Sequence, residues 1–167
     1  DIKNTQTAKY ELLNSLPADG LAITNSDNEY CREFLTELKC QVKTFGSNDE
    51  YRPDCLIKNS AGNENGIDFI AVLKNNGELK ISAPVLGDHN SLNIAPVILA
   101  GLFLGMSDDK ISDRCRYLKL PPKVLQIYGY GASLILDDSY NANPEGFLAA
   151  LDVLAGYGQR KKIVITR

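Results

Sequence analysis

The sequence has 167 residues, of which 44% are hydrophobic and 23% are charged, and its formal net charge is −3. This length and composition are typical of one ordinary globular domain, or of parts of two smaller ones, and they exclude an intrinsically disordered chain. The negative charge and the lack of a long Lys/Arg run argue against a nucleic-acid-binding protein. The longest apolar stretch, residues 94–106, is too short to span a membrane and is interrupted by Pro96 and Gly101.

The ends of the sequence and its cysteines bear on the kind of protein. The chain starts at Asp1 instead of Met and carries no signal peptide, so we expect an internal segment of a longer, cytoplasmic polypeptide. The four cysteines form no C-x-x-C pair, and the single histidine, His89, is far from all of them. This spacing argues against a zinc site and predicts free, mostly buried thiols.

The first half of the chain predicts a mixed α/β pattern in which the apolar period changes from helical to alternating at Cys55. Asn-Gly-rich turns separate the alternating segments, which is typical of an antiparallel meander. Residues 25–27 supply the expected cap of the second helix. The predicted elements are helices over 5–16 and 29–39, and strands at 21–24, 41–45, 56–57, 67–73 and 79–81.

The second half begins with helices and ends as a strand–helix–strand unit, which implies a parallel sheet. Pro121-Pro122 separates the two patterns and marks our predicted domain boundary, with domains at 1–120 and 121–167. Pro96 should kink the first of these helices or mark a later helix start. The predicted elements are helices over 90–104, 108–117 (capped by Ser107) and 144–155, and strands at 124–128, 133–136 and 162–166.

A polar loop follows the strand at 133–136, with the sequence Asp137-Asp138-Ser139-Tyr140-Asn141-Ala142-Asn143-Pro144. Ligands of open α/β sheets bind beyond the carboxyl ends of strands, and a carboxylate there can accept hydrogen bonds from a ribose hydroxyl pair. The same residue types also favour a simple capped strand-to-helix turn. These residues alone leave both interpretations open.

A second polar cluster, Gly87-Asp88-His89-Asn90-Ser91-Leu92-Asn93, opens the helix over 90–104. Asn90 and Asn93 are three residues apart and so share the first helical turn, where free backbone N–H groups collect. Side-chain amides can both donate and accept, which suits the edge of a purine. Simple N-capping by Asn90, with His89 at the surface, is the structural alternative.

Both clusters resemble signatures of the Mur ligases. The run from Asp137 to Pro144 is similar to the D-D-[ST]-Y-N-A-N-P signature of the MurF type, and Gly87-x-His89-Asn90-x-x-Asn93 is similar to the G-x-H-N-x-x-N signature of Mur ligase central domains. The run Ala8-Lys9-Tyr10-Glu11 resembles the family's A-K-x-E, and Asp19-Gly20 and Asn25-x-Asp27 follow at the expected distances. The resemblance covers the whole chain. It implies an α/β fold: the C-terminal half of a central domain, with a mixed sheet, antiparallel meander and helices, and the first β-α-β part of a Rossmann-like C-terminal domain.

The resemblance also implies roles for individual residues. His89, Asn90 and Asn93 would lie at the adenine of ATP, and Asp138 would hold its ribose. Lys9 matches a lysine that many Mur ligases carry as a carbamate, which helps to position Mg²⁺; no residue of this chain would bind the metal directly. Tyr140, Asn141 and Asn143 would line the cleft in which the peptide substrates meet.

The sequence departs from the family at one point and lacks one of its motifs. Lys123 stands where the family has the arginine of Pro-Gly-Arg. A lysine would keep the positive charge that faces ATP phosphate, but it lacks the paired N–H donors with which arginine binds two oxygens at once. No G-x-x-x-x-G-K-[ST] phosphate loop occurs in the chain, and Gly129-Tyr130-Gly131 fits a hairpin turn instead. We therefore expect the isolated chain to be inactive.

For the parent enzyme the resemblance implies ATP-dependent ligation through an acyl phosphate. The expected substrates are UDP-MurNAc-tripeptide and D-alanyl-D-alanine, with ATP and Mg²⁺ as cofactors and a monomeric enzyme without a membrane span. Two alternatives remain. One is a non-catalytic Mur-like binding module, and the other is a Mur-like amide ligase with a different amino-acid substrate.

Overall fold

The computed structural model describes residues 2–75, 77–140 and 143–166. Five strands form one mixed sheet in the order β1-β2-β3-β4-β5. β1 pairs with β2 and β2 with β3 in parallel, whereas β3, β4 and β5 form the predicted antiparallel meander. The strands are β1 Leu21–Asn25, β2 Gln41–Gly46, β3 Cys55–Asn63, β4 Gly66–Leu73 and β5 Gly77–Ala83.

Five α-helices flank the strands in the part of the chain that the structure describes, and all but α2 lie close to their predicted bounds. They are α1 Ile2–Asn14, α2 Glu29–Arg32, α3 Asn90–Phe103, α4 Asp108–Cys115 and α5 Pro144–Ala155. Short 3₁₀ turns lie at Leu35–Glu37 and Asp49–Tyr51. No helix among the described residues is long and apolar enough to cross a membrane.

The hydrophobic core lies between the sheet and helices α3 and α4. Alternate residues of β4 and β5 face it, as the period of two predicts. α3 packs across β1 to β4, and α4 contributes Ile111 and Cys115, one turn apart. The largest fully buried side chains are Ile67, Ile81, Ile98 and Cys55. All four cysteines are free thiols and three of them are buried, as predicted.

A second, two-stranded sheet follows residues 121–125. β6 (Gln126–Tyr130) pairs with β7 (Ser133–Asp137) in the antiparallel sense, so Gly129-Tyr130-Gly131 does lie at a hairpin turn. α5 follows, with Pro144 in its first turn as predicted. The α/β class and the mixed sheet of the predicted fold are therefore confirmed.

Two local predictions were wrong, and two others were met in part. Residues 162–166 form no strand, because no described strand runs beside them, and the parallel sheet they implied is not formed. The helix over 29–39 ends at Arg32, and its cap is Asn28 instead of 25–27. α3 starts at Asn90, as predicted, and continues through Pro96, so of the two expected effects of this proline the later start is excluded. Ser107 occupies the N-cap position of α4, as predicted, but its side chain makes no capping hydrogen bond.

Candidate functional site

The segment 87–93 forms a compact turn into α3. Asn90, only 5% exposed, donates from Nδ2 to the carbonyl of Leu86 over 2.6 Å and accepts from Asn93 Nδ2 over 2.8 Å. The residue at the N-cap position is His89, so simple capping by Asn90 is wrong. Asn90 therefore fixes the turn internally, while His89 and Asn93 are exposed and available to a ligand.

The backbone N–H groups at this helix start are not free, in contrast to the expectation from sequence. Those of Asn90, Ser91 and Leu92 donate to the carbonyls of Gly87, Asp88 and His89 over 3.0 to 3.1 Å. The tight turn consumes the donors that an anion would otherwise use. These three N–H groups are therefore not offered to a ligand, whereas the exposed side chains of His89 and Asn93 are.

Gly87 is required for this turn. Its φ of +87° lies in the left-handed region, and a Cβ atom there would lie 2.5 Å from His89 Cε1. The same position is 3.3 Å from Leu125 Cδ1. The His89 ring and the Leu125 side chain thus approach the chain at Gly87.

Asp138, directly after β7, bonds to the segment between the two sheets. Its Oδ1 accepts the backbone N–H of Leu125 over 3.2 Å, and the N–H of Tyr140 donates to the carbonyl of Lys123 over 3.1 Å. Asp137 instead accepts the N–H of Ser139 over 3.1 Å within its own turn. The two aspartates are therefore distinct: Asp138 reaches across to residues 123–125 and Asp137 does not.

The remaining predicted site residues lie around this connection with differing exposure. Lys123 is exposed with φ of +64°, and Tyr140 is 71% exposed. Asn143 caps α5, since its Oδ1 accepts the N–H of Gly146 over 2.8 Å. Asn141 lies outside the described residues.

Lys9 is exposed on α1. The contacts recorded for its neighbours run to the segment 30–37, through Gln6 to the Tyr30 carbonyl and Tyr10 to Phe34. The structure therefore brings Asp138 and the 87–93 segment together through Leu125, whereas the neighbours of Lys9 on α1 contact residues 30–37. Among the described residues no group of three or more His, Cys, Asp or Glu side chains could hold a metal ion.

Two clefts adjoin the connection. One of about 840 Å³ lies between the post-α4 loop and β6, and Leu86 and Leu125 are among its walls. The other, about 210 Å³, lies between the 87–89 turn and the end of α5. Tyr157 lines the smaller cleft, and burial, then the charge of Glu64, raises the pKa of its phenol.

Sequence reasoning missed Leu125. Only 4% of it is exposed, although it lies in a short segment between two prolines and a hairpin, and its φ of +45° is strained for a branched residue. The sequence placed Leu125 in a strand over 124–128, whereas β6 begins at Gln126, and an apolar side chain carries no sequence signal that identifies the residue it contacts. The positive φ could not be read from the sequence either.

Comparison with known proteins places the chain in a family. The model of the Mur ligase middle domain matches residues 1–101. The chain belongs to the Mur ligase family. It is 28% identical over 162 residues to the UDP-N-acetylmuramoyl-tripeptide--D-alanyl-D-alanine ligase of Bacillus subtilis, which aligns with 94% of the chain. It is 30% identical to the UDP-N-acetylmuramate--L-alanine ligase of Clostridium acetobutylicum, with 96% of the chain aligned.

A solved structure supports the same fold for this Mur ligase segment. The MurF ligase of Thermotoga maritima, in complex with ADP, superposes with a TM-score of 0.74 at 22% identity, over 91% of this chain and 34% of the other. The chain likewise spans about one third, 34%, of each of the two sequence relatives. The Mur ligase fold therefore extends beyond the matched middle domain into the β6–α5 region.

Proposed function

We propose that the polypeptide containing this segment is an ATP-dependent amide ligase of peptidoglycan precursor synthesis, of the MurF type. The observation that carries the proposal is the connection of Asp138 to the Gly87–Asn93 segment through Leu125. This connection joins the run from Asp137 to Pro144, which resembles the MurF signature, to the run from Gly87 to Asn93, which resembles the signature of Mur ligase central domains. The MurF-type relative in Bacillus subtilis supports the same assignment.

The side chains at this connection fit a nucleoside. Asp138 is half-buried and offers a carboxylate to the ribose hydroxyls, while the exposed His89 and Asn93 offer polar groups to the adenine edge. Asn90 has a different role, because both ends of its amide are already bonded within the turn. We assign it to orienting Asn93. Lys123, exposed beside this site, supplies a positive charge for phosphate.

The proposed reaction activates the carboxylate of UDP-MurNAc-tripeptide as an acyl phosphate, which the amine of D-alanyl-D-alanine then attacks. This segment contributes nucleotide binding and the approach of the second domain, which excludes water from the reactive phosphate. Tyr140, Asn141 and Asn143 are proposed to lie near the peptide substrates. The resemblance leads us to propose that Lys9, as a carbamate, helps to position Mg²⁺, which would offset charge on the phosphates. The resemblance also leads us to propose a cytoplasmic, monomeric enzyme.

One alternative substrate has an observation in its favour. The relative in Clostridium acetobutylicum is 30% identical and adds L-alanine to UDP-N-acetylmuramate, as its name states. A ligase of that type would use the same nucleotide site with a different acceptor. The D-D-S-Y-N-A-N-P run from Asp137 to Pro144 favours the MurF type.

The decisive experiment measures product formation by the full-length polypeptide with ATP. UDP-MurNAc-tripeptide is supplied with D-alanyl-D-alanine in one reaction, and UDP-MurNAc with L-alanine in the other; mass spectrometry then identifies the ligated product. We expect a pentapeptide product in the first reaction only. Product in the second reaction alone would replace the MurF assignment, and no product in either would favour the non-catalytic binding module.

A further inference from the structure

We propose that Leu125 is a positioning residue that couples Asp138 to the Gly87–Asn93 segment. The proposal rests on the proposed nucleotide site and goes beyond it, because Leu125 belongs to none of the motifs that the sequence shares with the family. In this assignment Leu125 makes no contact with the nucleotide. It sets the distance between the group that holds the ribose and the groups that face adenine.

The backbone of Leu125 provides the first half of the coupling. Its N–H donates to Asp138 Oδ1 over 3.2 Å, and a charge-assisted bond of this kind orients the carboxylate. Two residues earlier, the carbonyl of Lys123 accepts the N–H of Tyr140 over 3.1 Å. Two hydrogen bonds therefore tie the loop after β7 to the segment 123–125.

The side chain of Leu125 provides the second half. It is 4% exposed, and its Cδ1 atom lies 3.3 Å from the position of a Cβ at Gly87, beside the His89 ring. The backbone of Leu125 stays at φ of +45°, a conformation that costs energy for a branched residue. The strain persists because the hydrogen bond and the apolar contact together determine the conformation.

The arrangement predicts how variants behave. Leu125→Gly removes the side chain with its apolar contacts, including the one at Gly87, while it accepts the positive φ and keeps the N–H that bonds to Asp138. Leu125→Met retains an apolar side chain and should behave as the wild type. Leu120→Ala is the matched control, because Leu120 is a partly buried leucine that packs on the core and has no recorded bond to Asp138.

The test is made on the full-length polypeptide, by measuring the ADP dissociation constant together with the thermal unfolding midpoint. We expect Leu125→Gly to raise the dissociation constant roughly tenfold, as misplacement of a binding group does. Leu125→Met should restore wild-type affinity, and Leu120→Ala should lower the unfolding midpoint without changing affinity. The double variant Leu125→Gly, Asp138→Asn should bind scarcely more weakly than Asp138→Asn alone, because both changes remove one coupled unit.

Two results separate failure of this inference from failure of the proposed function. If Leu125→Gly binds ADP as the wild type does while Asp138→Asn binds it weakly, the nucleotide site stands and the positioning role is refuted. If Asp138→Asn also leaves ADP binding unchanged, the proposed nucleotide site itself is wrong. Fully additive losses in the double variant would likewise refute the coupling.

Discussion

The carboxylate of Asp27 occupies the space that a side chain at Gly46 would need. A Cβ atom at position 46 would collide with Asp27 Oδ1 and lie 2.6 Å from Ser26 Oγ. Asp27 in turn accepts the N–H groups of Ser47 and Asn48 over 2.7 and 3.1 Å. The absence of a side chain at Gly46 therefore lets the loop after β1 close over the end of β2, at the carboxyl edge of the parallel strands.

We predict that Gly46→Ala destabilises the protein by about 1–3 kcal/mol, since the new methyl group displaces Asp27 from the two N–H groups it caps. Chemical denaturation measures the change in the free energy of unfolding. Gly129→Ala is the control: it lies in β6 with nothing within 4 Å of its Cβ position. Equal stabilities for the two variants would show that the Asp27 contact does not constrain position 46.

The buried thiol of Cys55 should make the stability of the folded protein sensitive to alkaline pH. Burial, then the charge of Asp54, raises the pKa of its thiol from 9.0 to about 12. The unfolded chain loses this proton near pH 9 while the folded chain keeps it, so the stabilisation is complete below pH 9 and is lost as the pH rises toward 12.

The measurement compares the free energy of unfolding of the wild type and Cys55→Ala from pH 8 upward. We expect the wild type to lose more stability than the variant as the pH increases. Parallel curves for the wild type and Cys55→Ala would contradict the assignment.

The isolated 167-residue chain should bind ATP with a dissociation constant on the order of millimolar, or not at all. Contacts to adenine and ribose can remain, but the sequence contains no phosphate loop, which is the usual anchor of a triphosphate. Calorimetric titration measures this directly. Micromolar affinity would mean that the main nucleotide anchor lies within these residues.

The proposed division into domains near residue 120 predicts where proteases cut. The described strands form two separate sheets, and the exposed Lys119 and Lys123 lie between them. Limited trypsin digestion of the full-length polypeptide should cleave first at these lysines. If trypsin instead cut first within residues 21–83 and left residues 119–123 intact, the result would argue against a domain boundary at 121.

Periodicity was sufficient to predict most of the fold. Alternation in β4 and β5 and the Pro144 start of α5 both follow from local chemistry, and the structure has them where predicted. The strand at 162–166 could not be judged locally, because a strand forms only where a partner lies beside it. Ile163 and Ile165 are accordingly 71% and 91% exposed.

The candidate site was predictable as residue types but not as contacts. The sequence marked Asn90 and Asn93 as a pair, whereas their different roles follow from the bond of Asn90 to the Leu86 carbonyl. Alternation along β7 would separate Asp137 from Asp138 if Ile135 faced inward. Ile135 is 51% exposed, and the two aspartates differ instead through their hydrogen-bond partners, Ser139 and Leu125.

The central claim is that Asp138 holds the nucleotide in the full-length enzyme, and steady-state kinetics with ATP as the varied substrate test it most directly. Asp138→Asn should lower kcat/KM for ATP roughly ten- to a hundredfold, because an amide accepts hydrogen bonds from two hydroxyls less well than a carboxylate does. Asp137→Asn removes the same charge from a carboxylate that accepts the N–H of Ser139 within its own turn, and should change kcat/KM much less. Equal losses for the two variants would contradict the account.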